Sequence, residues 1–184
     1  TVMITLSRFL VVCFFTAISL LFTNCEVNRI FNMGEKVVKE VDIERFKGKW
    51  HEVARLCTNG KKNNLVAVTL EISIDPKGII HLFLTGHKLT PYGPVKNLRG
   101  KGKWNEKKPG TVRNTFFLNF YRDYYILHVE EDYSTTIISN QTGTRLHILS
   151  RHPSLSAEEV SSIRDKFLSL GYDPGELCWS ETYF

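Results

Sequence analysis

What most constrains this chain is a succession of short alternating segments separated by tight turns, running from Lys47 to Ser150. The clearest segment is Leu65–Ile74, where Val66, Val68, Leu70, Ile72 and Ile74 share one face and Thr69, Glu71 and Ser73 share the other. A period of two marks a strand with one buried side. Asp75-Pro76-Lys77-Gly78 follows, with Pro and Gly where a tight turn accepts them. Similar runs cover residues 47–57, 79–88, 96–104, 111–121, 124–130, 134–140 and 144–150, parted by segments rich in Gly, Pro, Asn and Lys. Eight strands joined this closely must pair antiparallel. An open sheet of that width would leave two long edges, whereas closure removes both and encloses an interior.

After Ser150 the period changes. Ser156-Ala157-Glu158-Glu159 is a capping box, and Val160, Ile163, Phe167 and Leu170 form one helical stripe. Gly171 ends the helix, Asp173-Pro174-Gly175 turns the chain, and residues 177–180 return as a short strand. The expectation is an all-β fold: an eight-stranded antiparallel up-and-down barrel, one C-terminal α-helix packed outside, and a short terminal strand.

The beginning of the sequence has a different character. Arg8 precedes an almost unbroken apolar stretch from Phe9 to Phe22, short for a membrane span and suited to a signal peptide over residues 1–24. Leu21-Phe22-Thr23-Asn24-Cys25 resembles a lipobox, with Phe22 where Leu is usual and Asn24 where a small residue is usual. On that reading Cys25 is lipidated, residues 25–40 are a tether or close the floor, and residues 41–184 form the domain. The alternative is a plain secretory signal with Cys25 an ordinary thiol. Asn140-Gln141-Thr142, a glycosylation sequon, favours that secreted alternative.

The net charge of +5 is unevenly spread. Lys88, Lys96, Arg99, Lys101, Lys103, Lys107, Lys108, Arg113 and Arg122 stand against one acid, Glu106. Such a stretch is a solvated sheet face or an attractor of anionic headgroups. Nucleic acid is not expected, since no helix-turn-helix, finger spacing or RNP-type motif is present.

Three pieces in order carry a family resemblance: Gly48-Lys49-Trp50-His51-Glu52-Val53-Ala54-Arg55, then Glu131-Asp132-Tyr133, then Ile148-Leu149-Ser150-Arg151. Together they resemble the lipocalins, closest to the bacterial lipocalin and apolipoprotein D branch. The resemblance implies a barrel whose closed end is crossed by Trp50 with Arg151 packed over it, Gly48, Asp132 and Tyr133 completing the motif. It also implies an outer-membrane lipoprotein, lipid-anchored through Cys25 and facing the periplasm. In related barrels the terminal strand returns beside the first, so Cys57 and Cys178 are expected as neighbours, either bridged or as two thiols.

By the same resemblance Tyr124 faces the cavity, and His147 stands where relatives carry an aromatic. Alternation then adds Ile126, His128 and Leu149. Between Phe116 with Leu118 and Phe117 with Asn119, the first set is chosen, so Phe116 faces inward. Leu82 and Leu84 lie inside or under the helix. An apolar cup with Tyr and His groups near its mouth suits an amphiphile, a fatty acid or lysophospholipid, bound without catalysis or cofactor. Two other classes compete: a haem- or metal-binding barrel using His81, His87, His128 or His147, and a lipocalin-type enzyme acting on a lipid or isoprenoid. No metal-ligand spacing and no catalytic fingerprint accompanies either. A homodimer stays open.

Overall fold

In the computed structural model, residues 33–57, 65–104, 106–116 and 121–180 are described. The expected signal peptide, Cys25 and residues 117–120 therefore lie outside the described residues. The strands are β1 (Gly48–Leu56), β2 (Leu65–Ile74), β3 (Ile79–Lys88), β4 (Val95–Trp104), β5 (Thr111–Thr115), β6 (Arg122–Val129), β7 (Thr135–Asn140) and β8 (Leu146–Ser150). The helix α1 (Ala157–Ser169) follows, then β9 (Leu177–Trp179). Each of β2 to β7 pairs antiparallel with its sequence neighbours, β8 pairs with β7, and β1 pairs with both β2 and β8. The sheet is thereby a closed eight-stranded barrel, with β9 added outside on β1.

The register separates an inner from an outer face. Ile72, Leu82 and Gly100 stand in one row, and Leu70, Leu84 and Leu98 in the next. Trp104, Val112 and Tyr124 continue the inner face around the wall. Trp50, Leu70, Ile72, Trp104, Val112, Ile126, Val129, Ile138 and Leu149 fill the lower interior with Phe46. The outer face of β6, β7, β8 and β1 contributes Leu127, Ile137, Leu146, Ile148, Val53 and Ala54 to a second cluster, closed by Ile163 and Phe167 of α1. The barrel thus has two apolar layers, one within it and one beneath the helix. Leu82 and Leu84 belong to the first.

Bulges reset the alternation. In β1 the register shifts between Glu52 and Ala54, so Val53 and Ala54 both join the cluster under the helix, while Arg55 falls opposite His147. In β6 it shifts between Ile126 and His128. Two residues facing one on the partner strand turn the side chains beyond a bulge to the other face.

Local chemistry fixes the helix. The Ser156 hydroxyl accepts the Glu159 amide, and the Glu159 carboxylate accepts the Ser156 amide. At the other end the Lys36 ammonium donates to the Leu170 carbonyl. Residues 33–40 lie against the barrel: Met33 is wholly buried under α1, and the Val38 amide donates to the Ile126 carbonyl at 3.0 Å. Cys57 and Cys178 form a disulfide across 121 residues, tying the end of β1 to β9. No helix among the described residues is long and apolar enough to cross a membrane.

Candidate functional site

The floor is built from the first strand and the corner after β8. The Trp50 side chain is fully buried, and its indole N–H donates to the Phe46 carbonyl at 2.8 Å. The Arg151 guanidinium lies 3.8 Å from the Trp50 ring centre and donates to the Lys49 carbonyl at 3.0 Å and to the Arg45 carbonyl at 2.6 Å. Its Nε also donates to the Tyr133 carbonyl at 3.4 Å, and a cation held on an aromatic face while its N–H groups hold three carbonyls is a rigid closure. Gly48 makes room beneath it: its φ is +97°, and a Cβ there would stand 3.4 Å from Arg151 Nη1. Tyr133 seals the side, its ring edge against Phe46 at 5.4 Å and its hydroxyl accepting the Asp42 amide at 2.8 Å. Asp132 accepts the Ser134 amide at 2.8 Å, and bonding to Ser134 holds its carboxyl below the usual carboxylate range. A cleft of about 510 Å³ opens beside this floor, rimmed by Glu44, Lys77, Glu106 and Lys107.

Above the floor the inner wall is apolar on one side and charged on the other. Leu82 and Leu84 face inward on β3, with Leu98 on β4. Phe116 follows at the end of β5, its ring so close over Gly100 that a Cβ there would lie 2.8 Å from it. The opposite wall carries Glu52 and Arg55 of β1 and His147 of β8. Glu52 accepts from His147 Nδ1 at 2.6 Å and from Arg55 Nη2 at 2.7 Å. The carboxylate side chain is 4% exposed, Arg55 15% and His147 27%. Arg55 also donates to the Leu65 carbonyl at 3.0 Å. With Nδ1 committed to Glu52, the second ring nitrogen of His147 is left without a partner among the described residues.

The structure distributes the sequence-predicted wall residues as follows. Tyr124, Ile126, His147 and Leu149 share the inner face with Leu82, Leu84 and Phe116. His128 does not follow Tyr124 and Ile126 inward. The β6 bulge pairs it with Ile137, on the face under the helix, and its imidazole meets the Glu130 carboxylate at 3.0 Å. His81 and His87 stand on the outer parity of β3, bonded to Asp75 and to the Gly93 carbonyl. Among the described residues no three His, Cys, Asp or Glu side chains converge as a metal site. Sequence reasoning missed Glu52, the partner of His147, and Arg55, the other partner of Glu52. Glu52 shares the parity of Trp50 and was within reach; Arg55 comes inward only through the bulge.

A sequence profile of the lipocalin-like domain matches residues 41–182. The chain belongs to the lipocalins. Within them its likeness runs to the bacterial branch: the outer membrane lipoprotein Blc of Vibrio cholerae is 29% identical over 163 residues, covering 86% of this chain and 92% of that protein. Temperature-induced lipocalin-1 of Arabidopsis thaliana is 24% identical over 153 residues, covering 77% and 80%. Insecticyanin of the tobacco hornworm Manduca sexta shares the fold, with a TM-score of 0.64 at 16% identity over 80% of this chain and 84% of that one. As a lipocalin, the chain has the architecture of a carrier for a small hydrophobic ligand.

Proposed function

We propose that this lipocalin binds, stores or transports an amphiphile of the fatty acid or lysophospholipid class, in the handling of cell-envelope lipid and without chemical turnover. The observation that carries the reading is the two-sided inner wall. Leu82, Leu84, Leu98 and Phe116 offer an acyl chain about 0.8 kcal/mol per buried CH₂, while Tyr124 and the Glu52–His147–Arg55 cluster supply polar contacts for a headgroup. Relatives named as outer membrane lipoproteins support an outer-membrane location. Anchorage through a lipidated Cys25, with the barrel facing the periplasm, belongs to the same proposal, and the Cys57–Cys178 disulfide is consistent with an oxidising compartment.

The test is displacement of a fluorescent fatty acid by unlabelled fatty acid and lysophospholipid, beside a haem absorbance titration. Saturable displacement that weakens about tenfold or more in Leu84→Asp supports the reading; no binding of either lipid refutes it. Haem is the second reading, favoured by one observation: the unpartnered nitrogen of His147 is held in place from behind by Glu52, as a ligating imidazole requires. A Soret shift abolished by His147→Phe would establish it. Mass spectrometry of palmitate on Cys25 tests the anchor.

A further inference from the structure

Four large apolar side chains are strongly exposed among the described residues, and three of them sit at one hairpin tip: Leu89 at 72%, Tyr92 at 84% and Val95 at 56%. The tip joins β3 to β4 at the open end of the barrel, the end opposite Trp50. It is a fixed loop. The Lys88 amide donates to the Pro94 carbonyl at 3.0 Å, the Thr90 amide to Lys88 at 2.7 Å, and the Gly93 amide to Thr90 at 2.9 Å. His87 Nδ1 meets the Gly93 carbonyl at 3.0 Å, and a Cβ at Gly93 would collide with the Lys88 carbonyl. Leu89 has a φ of +66°, a conformation that suits Gly or Asn and that an exposed Leu does nothing to support. Neither backbone nor core explains an apolar residue there.

The charge around the tip is one-sided. At the tip stand Lys88 and Lys96, with Arg99 further down β4, and from Pro76 to Asn105 the hairpin carries no Asp or Glu. Lys88, Lys96, Arg99, Lys101 and Lys103 are exposed. A symmetric contact with a second copy would set Lys88 and Lys96 against their own equivalents, which disfavours self-association through this loop. An apolar tip with an aromatic beside it, flanked by Lys88 and Lys96, instead matches a lipid surface of negative charge.

We propose that the β3–β4 loop is a lipid-docking element: Leu89, Tyr92 and Val95 enter the headgroup layer of an anionic bilayer while Lys88 and Lys96 engage its phosphates. Docking here brings the mouth of the cup to the membrane. It is separate from any acyl anchor and does not depend on which ligand the cup holds.

The test uses the full chain with Tyr92→Trp and vesicles containing brominated phosphatidylglycerol. The added indole is expected to be quenched in these vesicles, and far less in brominated phosphatidylcholine vesicles. Lys88→Gln with Lys96→Gln should weaken the phosphatidylglycerol partition about 25-fold, roughly fivefold per charge. Leu89→Asn separates docking from folding, because Asn suits the positive φ: thermal stability should hold or rise while vesicle binding falls. An indole at position 92 that stays unquenched while the protein sediments with the vesicles would overturn the proposal. So would Leu89→Asn binding as well as the parent, or equal quenching in the two lipids.

Discussion

Replacing Glu52 by Leu tests the charged wall most directly. The carboxylate lies out of water between two donors, and its loss leaves the guanidinium of Arg55 in a mostly buried position with the Leu65 carbonyl as its remaining partner among the described residues. Breaking a buried ion pair by removing one member costs about 3–5 kcal/mol. The 15% exposure of Arg55 lets some water in, so about 3 kcal/mol is expected here. Glu52→Gln keeps an acceptor and should cost about 1–2 kcal/mol. Arg55→Leu alone strands the carboxylate and should cost about 3 kcal/mol, and His147→Phe about 1 kcal/mol. The three apolar changes together leave no buried charge unmatched. The triple variant should therefore lie within about 1 kcal/mol of the parent, far from the sum of its parts. Urea unfolding followed by tryptophan fluorescence, with the disulfide intact, reads the five variants and the parent at constant slope. Additive losses, or a Glu52→Leu cost under about 1 kcal/mol, would refute the view that these groups balance one another out of solvent.

Three further outcomes follow from the geometry. Arg151→Ala should cost about 2–3 kcal/mol and shift Trp50 emission to the red, since the ring stacking and the bonds to the Lys49 and Arg45 carbonyls go together. Arg151→Lys should recover less than half of that in the same denaturation assay, because an ammonium neither stacks flat nor forks. Gly100→Val should overpack the inner wall by about 1–3 kcal/mol, since the first added carbon already meets the Thr115 carbonyl at 2.7 Å and the Phe116 ring at 2.8 Å. Burial, with repulsion from Lys49 and His152 added, holds the His51 imidazole below its usual 6.5. The unfolded chain therefore binds that proton first as pH falls, and the stability this group confers is complete above 6.5 and is lost on acidification. His51→Gln should flatten the urea midpoint between about pH 7.5 and 5.5 relative to the parent; an equal slope in both would refute it.

How far the sequence could be read depended on whether alternation ran unbroken. Along β3 and β4 it does, so Leu82 and Leu84 were legible as one face, whereas alternation left Phe116 and Phe117 as open choices, and it is Phe116 that lies over Gly100. The floor was legible only through the family resemblance that Gly48, Trp50 and Arg151 carry, and the structure gives each its physical role: a positive φ, a broad ring and a forked cation. The bulged strands were not. Nothing in Tyr124-Tyr125-Ile126-Leu127-His128 announces the extra residue that sets His128 opposite Ile137, and nothing in Glu52-Val53-Ala54-Arg55 announces the one that turns Arg55 inward. A bulge is decided by what both partner strands and the layer behind them can accommodate, information that is not local to either run. Ionic partners across strands share that difficulty: Glu52 and His147 are 95 residues apart and meet only after closure.

The first strand of the barrel is also its last seam. β1 joins β8 and β9, and its end is clasped to Cys178, so the tube cannot shut until the chain has emerged through β8. Until then one border of β1 must wait with its amides and carbonyls uncovered while β2 to β7 are delivered. A ribosome that stalled before Leu146 would release a curled ribbon with both margins bare, so for this molecule assembly order and the hazard of sticking to neighbours are set by the same join.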